Sequence, residues 1–113
     1  MAWEIEWLES AQEELDREID YVIREFGYLA AQNAYNRIKN SIYHLACFPR
    51  IGLSYPGITF RGFEVRKLHL KHITVFYSPQ VDRITILAIW NNAMDSERIP
   101  LHLIFSDPGS GPG

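Results

Sequence analysis

The hydrophobic pattern of this chain changes period near residue 60, and that change constrains the fold more than any other feature. Upstream, apolar residues recur every three or four positions: Leu15, Ile19, Val22, Ile23 and Phe26, then Ala31, Ala34, Tyr35, Ile38, Ile42 and Leu45. Downstream they alternate, in Phe63-Glu64-Val65-Arg66 and in the β-branched and aromatic run Ile73-Thr74-Val75-Phe76-Tyr77. The first period belongs to amphipathic helices and the second to strands with one buried face. Gly27 alone parts the two helical stripes, so the helices fold back on each other as an antiparallel hairpin. A short strand precedes them, because Trp3-Glu4-Ile5-Glu6-Trp7 alternates apolar and acidic residues. The Ser10-x-x-Glu13 spacing predicts a capping box at the start of the first helix.

Residues 47–60 contain Pro49, Gly52, Pro56 and Gly57 and read as loop. Ser78 to Asp82 reads as a hairpin loop, and the preceding turn falls near Lys71. The segment Ile84–Trp90 is almost continuously apolar, the composition of a strand covered on both faces. The predicted order is β-α-α-β-β-β, an α+β domain with a helical hairpin packed on a small, mostly antiparallel sheet. It spans residues 1–106, and the Pro/Gly/Ser-rich residues 107–113 form a disordered tail.

At 113 residues with 47% hydrophobic composition, the chain has the size and apolar content of one folded domain. No apolar run reaches the roughly 18 residues of a membrane span. The single Cys47 excludes an internal disulfide and a cysteine zinc cage and suits a reducing compartment. Acids occupy the place of the basic region of a secretory leader, which leads to the expectation of a cytoplasmic protein. No glycine-rich phosphate loop runs from a strand into a helix, so no nucleotide cofactor is expected.

Charge is unevenly distributed behind a net value of −3. Residues 1–27 carry nine acids against Arg17 and Arg24, whereas residues 28–81 carry seven basic residues against Glu64 alone. Such a basic middle forms either a polyanion-binding face or the solvated face of a sheet.

The element order, together with the pieces that mark it, resembles the RelE/ParE superfamily of toxins from bacterial type II toxin–antitoxin pairs. The pieces are Ala11, Glu14 and Leu15 in the first helix with Ile19 to Tyr21 following, and Leu45-x-x-Phe48-Pro49-x-x-Gly52 at the exit of the second. Arg66-x-Leu68, Val75-Phe76-Tyr77 and Ile84-x-Ile86-Leu87-x-Ile89 complete the set. The resemblance covers about residues 3 to 95. It implies a toxin silenced by a cognate antitoxin, acting in one of two ways. ParE-like members poison DNA gyrase, and RelE-like members are metal-independent endoribonucleases that cut messenger RNA in the ribosomal A site.

Metal-independent RNA cleavage needs a base, cations for the transition-state phosphate and an acid for the leaving oxygen. The resemblance makes Arg66, His69 and Tyr77 the catalytic candidates. Arg66 reads either as a phosphate clamp or as a strand residue paired with Glu64 or a helix acid, and Tyr77 either as functional or as core. Arg61, Lys67, Lys71, His72, Asn91 and Asn92 are candidates for target or nucleic-acid binding. The two asparagines stand where a RelE-like enzyme would carry a strong cation, which favours gyrase as the target. His69-x-x-His72 lacks the facing geometry and the extra ligands of a metal site. Tyr28, Tyr35, Tyr43 and Trp90 are the candidate antitoxin anchors, while the tryptophans have no adjacent basic residues and form no stacking platform. A catalytically silent antitoxin-binding module is the remaining alternative.

Overall fold

The computed structural model describes residues 3–93. Strand β1 (Glu4–Trp7) leads into helices α1 (Glu9–Phe26) and α2 (Tyr28–Cys47). Strands β2 (Leu53–Phe60), β3 (Phe63–His69), β4 (Ile73–Pro79) and β5 (Arg83–Asn91) follow. They form one sheet of order β1-β5-β4-β3-β2, parallel between β1 and β5 and antiparallel elsewhere. The expected α+β architecture is present with one strand more than the sequence reading gave. The predicted disordered tail lies outside the described residues.

Gly27 sits at φ 92°, a backbone conformation that glycine adopts freely, and one residue therefore suffices to reverse the chain between α1 and α2. The predicted capping box is not formed. Helix α1 starts two residues earlier, after Leu8, and has no side-chain cap, so Ser10 already lies inside the first turn. The helix is instead started by the backbone: the Leu8 amide donates to Ile86 of the sheet, and the Leu8 carbonyl accepts from Gln12.

Residues 53–60, read as loop, are the edge strand β2. Proline and glycine are tolerated there because only one side of an edge strand needs hydrogen bonds. Pairing runs from Leu53 and Ser54 (opposite Lys67 and Arg66), shifts register, and resumes with Thr59 and Phe60 (opposite Glu64 and Phe63). The intervening excursion carries Pro56 and Gly57, the latter at φ 93°, and presses Tyr55 and Ile58 against the sheet. Arg61 and Gly62, both at positive φ, close the β2–β3 hairpin, the geometry preferred for a two-residue turn. The β3–β4 turn falls at Lys71 and His72, where the sequence placed it.

Two cores lie on opposite faces of the sheet. On the helix side, Ala11, Leu15, Ile38, Ile42 and Leu45 pack on Ile73, Val75, Tyr77, Ile84, Ile86 and Ile89. On the other side, Phe60, Val65, Phe76, Leu87 and Ala88 cluster with Tyr55, Ile58 and Trp90. Strand β5 serves both, as its unbroken apolar run suggested. A register shift places Phe76 opposite Ala88 but Tyr77 opposite Ile86, so one extra β5 residue is accommodated there. This bulge reverses the alternation: Ile84, Ile86 and Ile89 face the helices, whereas Leu87, Ala88 and Trp90 face away. Past the end of β1, the Ile89 amide donates to the Glu14 carboxylate of α1 at 2.9 Å.

Candidate functional site

The three candidate catalytic residues do not share a site. Arg66 and Tyr77 are cross-strand partners at the helix-side face, and both fasten the segment that leads from α2 into β2. The Tyr77 ring is fully buried, and its hydroxyl accepts the Gly52 amide at 2.8 Å. Burial disfavours the phenolate and raises the Tyr77 pKa above 10.0, outweighing the Gly52 hydrogen bond and the nearby Arg66 charge, which act to lower it. The Arg66 guanidinium donates from Nη1 to the carbonyls of Gly52 at 2.7 Å and Arg50 at 3.2 Å. Its Nε lies 3.2 Å from the Glu64 carboxylate, an ion pair by distance without an aligned hydrogen bond. Glu64 is the partner that strand alternation had offered for Arg66. Gly52 has no room for a side chain: a Cβ there would come within 2.7 Å of the Lys67 carbonyl and 2.6 Å of the Tyr77 hydroxyl.

His69 lies on the face away from the helices. Its Nδ1 is 2.8 Å from the Thr74 hydroxyl, which in turn donates to Asn92 Oδ1 at 2.6 Å. The Asn92 amide nitrogen faces the Leu70 carbonyl at 3.2 Å, which fixes which end of the amide accepts. Thr74 has one proton and gives it to Asn92, so His69 Nδ1 must be the donor to Thr74. In the neutral ring, Nε2 then holds the lone pair. Beside this relay lies a cavity of about 230 Å³, walled by Tyr55, Phe76 and Trp90 and reached by Lys67. The Lys67 ammonium is 5.3 Å from the centre of the Tyr55 ring, and that ring meets Phe76 edge-on at 5.2 Å. Trp90 and Lys67, far apart in sequence, thus share a pocket, contrary to the expectation that no basic residue adjoins the tryptophans.

Asn91, one residue before Asn92, points to the helix side, where its amide donates to Glu18 at 2.8 Å. Lys71 and His72 sit in the β3–β4 turn and line a groove of about 650 Å³ with Glu18, Tyr21, Phe26 and Arg37. His69 and His72 therefore belong to different cavities, and no group of three or more metal-ligating side chains occurs among the described residues. Arg61 lies apart at the β2–β3 turn, over the Phe60 ring at 4.6 Å and 3.4 Å from Glu6.

The candidate antitoxin anchors divide as well. Tyr28, Tyr35 and Tyr43 are exposed by 79%, 39% and 64% along α2. They fall within one arc of the helix, given its 3.6-residue turn. Trp90 packs on the opposite face of the sheet and is not part of that surface. Sequence reasoning named Gly52 only as a family marker and gave no role to Tyr55 or Thr74. Gly52 and Tyr55 lay in the segment read as loop, and Thr74 counted only as a strand former.

Among the described residues no helix is long and apolar enough to cross a membrane. Residues 5–96 match the family model described as the ParE toxin of the type II toxin–antitoxin system parDE. Among solved structures, a chain of the chromosomal ParDE toxin–antitoxin system from P. aeruginosa superposes with a TM-score of 0.65. It shares 22% identity, and the match covers 80% of this chain and 96% of that one, a likeness of fold. No curated protein matches the sequence significantly.

Proposed function

Because the chain belongs to the ParE toxin family of type II toxin–antitoxin systems, we propose that it arrests growth by poisoning DNA gyrase in the cytoplasm and that a cognate antitoxin silences it. The observation that carries this reading over RNA cleavage is the commitment of Arg66. Its guanidinium is spent on the Arg50 and Gly52 carbonyls and on Glu64, so it is not held in reserve for a phosphate. Tyr77 supports the same reading, since a buried phenol with a raised pKa has no path to a substrate. Asn91 and Asn92 add no charge at the end of β5 and are engaged with Glu18, Thr74 and Leu70. Gyrase poisoning asks for a binding surface rather than an assembled acid–base pair.

A ribosome-dependent nuclease is the second reading, and His69 is the observation in its favour. The Thr74–Asn92 relay leaves His69 Nε2 as an acceptor near Lys67, half of what activating a 2′-hydroxyl requires. Antitoxin recognition is assigned to Tyr28, Tyr35 and Tyr43, amphipathic rings that suit anchors of a partner segment.

Induction of the chain alone, followed by primer extension on a translated message, tests the choice. The reading expects growth arrest without toxin-dependent cuts, and rescue by co-expression of the antitoxin. Cuts within codons would favour the nuclease. Unimpeded growth with abundant folded protein would leave only the silent binding module.

A further inference from the structure

The pocket on the face of the sheet away from the helices brings together groups to which the gyrase reading assigns no role. Its walls are the rings of Tyr55, Phe76 and Trp90, and the described residues that line it include no carboxylate. The Lys67 ammonium stands over the Tyr55 ring with no carboxylate paired to it among the described residues. Two residues along β3 on the same face, His69 is held by Thr74, itself braced by Asn92, so that its Nε2 accepts a hydrogen bond. A planar ring, an anion and a hydroxyl together answer these three groups. At about 230 Å³ the cavity is smaller than the usual drug-sized site of roughly 300 Å³ or more, so it suits one such unit rather than a stacked run.

We propose that this pocket binds a single unstacked nucleotide. Its base lies against the aromatic walls, its phosphate sits on Lys67, and a sugar hydroxyl donates to His69 Nε2. Asn92 is a positioning residue here: through Thr74 it sets which His69 nitrogen is free. Base–aromatic contact contributes about 1–3 kcal/mol per base, and one charge-assisted phosphate contact adds to it. The site does not depend on gyrase being the target, since it binds equally in a toxin of either kind. The nucleotide has two sources, a free nucleoside monophosphate or the end of a single strand.

Titration of the ¹⁵N-labelled chain, observed by NMR, tests the site. Trp3 and Trp7 pack in the helix-side core and serve as internal controls for Trp90. In the free protein, the neutral His69 ring is expected to carry its proton on Nδ1, and Asn92→Ala to abolish that preference. Adenosine monophosphate is expected to shift the Trp90 indole and His69 ring signals saturably, at a Kd of about 1 mM or below, while Trp3 and Trp7 stay in place. Lys67→Gln and His69→Ala should each weaken the fit about tenfold, the loss of one charge-assisted or oriented contact. A short single-stranded oligonucleotide that binds more tightly than the mononucleotide points to a strand end, and equal affinity points to the free nucleotide. No saturable shift at ~10 mM overturns the proposal, as do equal shifts by inorganic phosphate alone or shifts untouched by both substitutions.

Discussion

Replacing Tyr77 by Phe separates structure from catalysis at the residue where the two readings differ most. The ring stays buried among Val75, Ile84 and Ile86, and only the hydroxyl is lost. What remains is the Gly52 amide, which pointed at that hydroxyl at 2.8 Å and now has no acceptor. An orphaned buried donor costs about 1–3 kcal/mol. With an unfolding entropy of roughly 2.1 cal/mol/K per residue, each kcal/mol lowers the melting temperature of a fold this size by about 4–5 °C. Tyr77→Phe should therefore melt about 4–14 °C lower, with an unchanged denaturant m-value. Gly52→Ala should cost more, because its Cβ meets the Lys67 backbone carbonyl at 2.7 Å and strand β3 cannot yield there. The pH dependence has a definite sign. Burial raises the folded-state pKa of Tyr77 above 10.0, so the unfolded chain loses this proton first. The phenol's contribution is whole below pH 10 and fades as pH rises towards the folded value. The stability gap between native chain and Tyr77→Phe should accordingly narrow above pH 10. Urea titrations at pH 7 and in alkaline buffer read both effects. A Tyr77→Phe chain as stable as the native one that no longer arrests growth would refute the reasoning and return the hydroxyl to chemistry.

Arg66→Ala should lose about 2–3 kcal/mol, since two carbonyls and Glu64 lose their shared cation, and Arg66→Lys should recover only part because an ammonium lacks the fork; denaturant titration measures both. Glu14→Ala should expose the Ile89 amide, costing about 1–2 kcal/mol and speeding its hydrogen exchange, with Glu14→Gln retaining most of the protection. Tyr28→Ala combined with Tyr43→Ala should weaken antitoxin binding at least 30-fold, about 2 kcal/mol, while the exposed positions leave the melting temperature within about 3 °C; calorimetry on the purified pair checks it. That complex should persist at high salt, because ring burial rather than charge holds it.

The helices and strands β3 and β4 were legible from their periods and β5 from its unbroken apolar run, and Gly27 and the Lys71 turn fell where expected. Strand β2 was not, because Pro56 and Gly57 signal a break wherever they occur. Only its edge position and the register excursion they occupy make them compatible with a strand. The bulge in β5 was equally hidden. In the run Ile84-Thr85-Ile86-Leu87-Ala88-Ile89 the one polar residue, Thr85, lies before the bulge, and no polar residue follows it to betray the change of face. The bulge nonetheless decides that Trp90 looks away from the helices. At the site, the family resemblance named Arg66, Lys67 and His69 but gave no account of their division. Alternation sends Arg66 and Lys67 to opposite faces, and what each then meets depends on cross-strand register. Asn92 was read as the absence of a cation. Its role as acceptor for Thr74, and through it as the brace for His69, appears only once β4 and the end of β5 lie side by side.

We propose that this toxin disables gyrase without cutting RNA. That proposal is tested most directly by incubating the purified chain with gyrase, ATP and relaxed plasmid. Loss of supercoiling together with accumulation of linear plasmid, both reversed by adding antitoxin first, is the result predicted. Fully active gyrase at a toxin concentration that cleaves a translated message would contradict it.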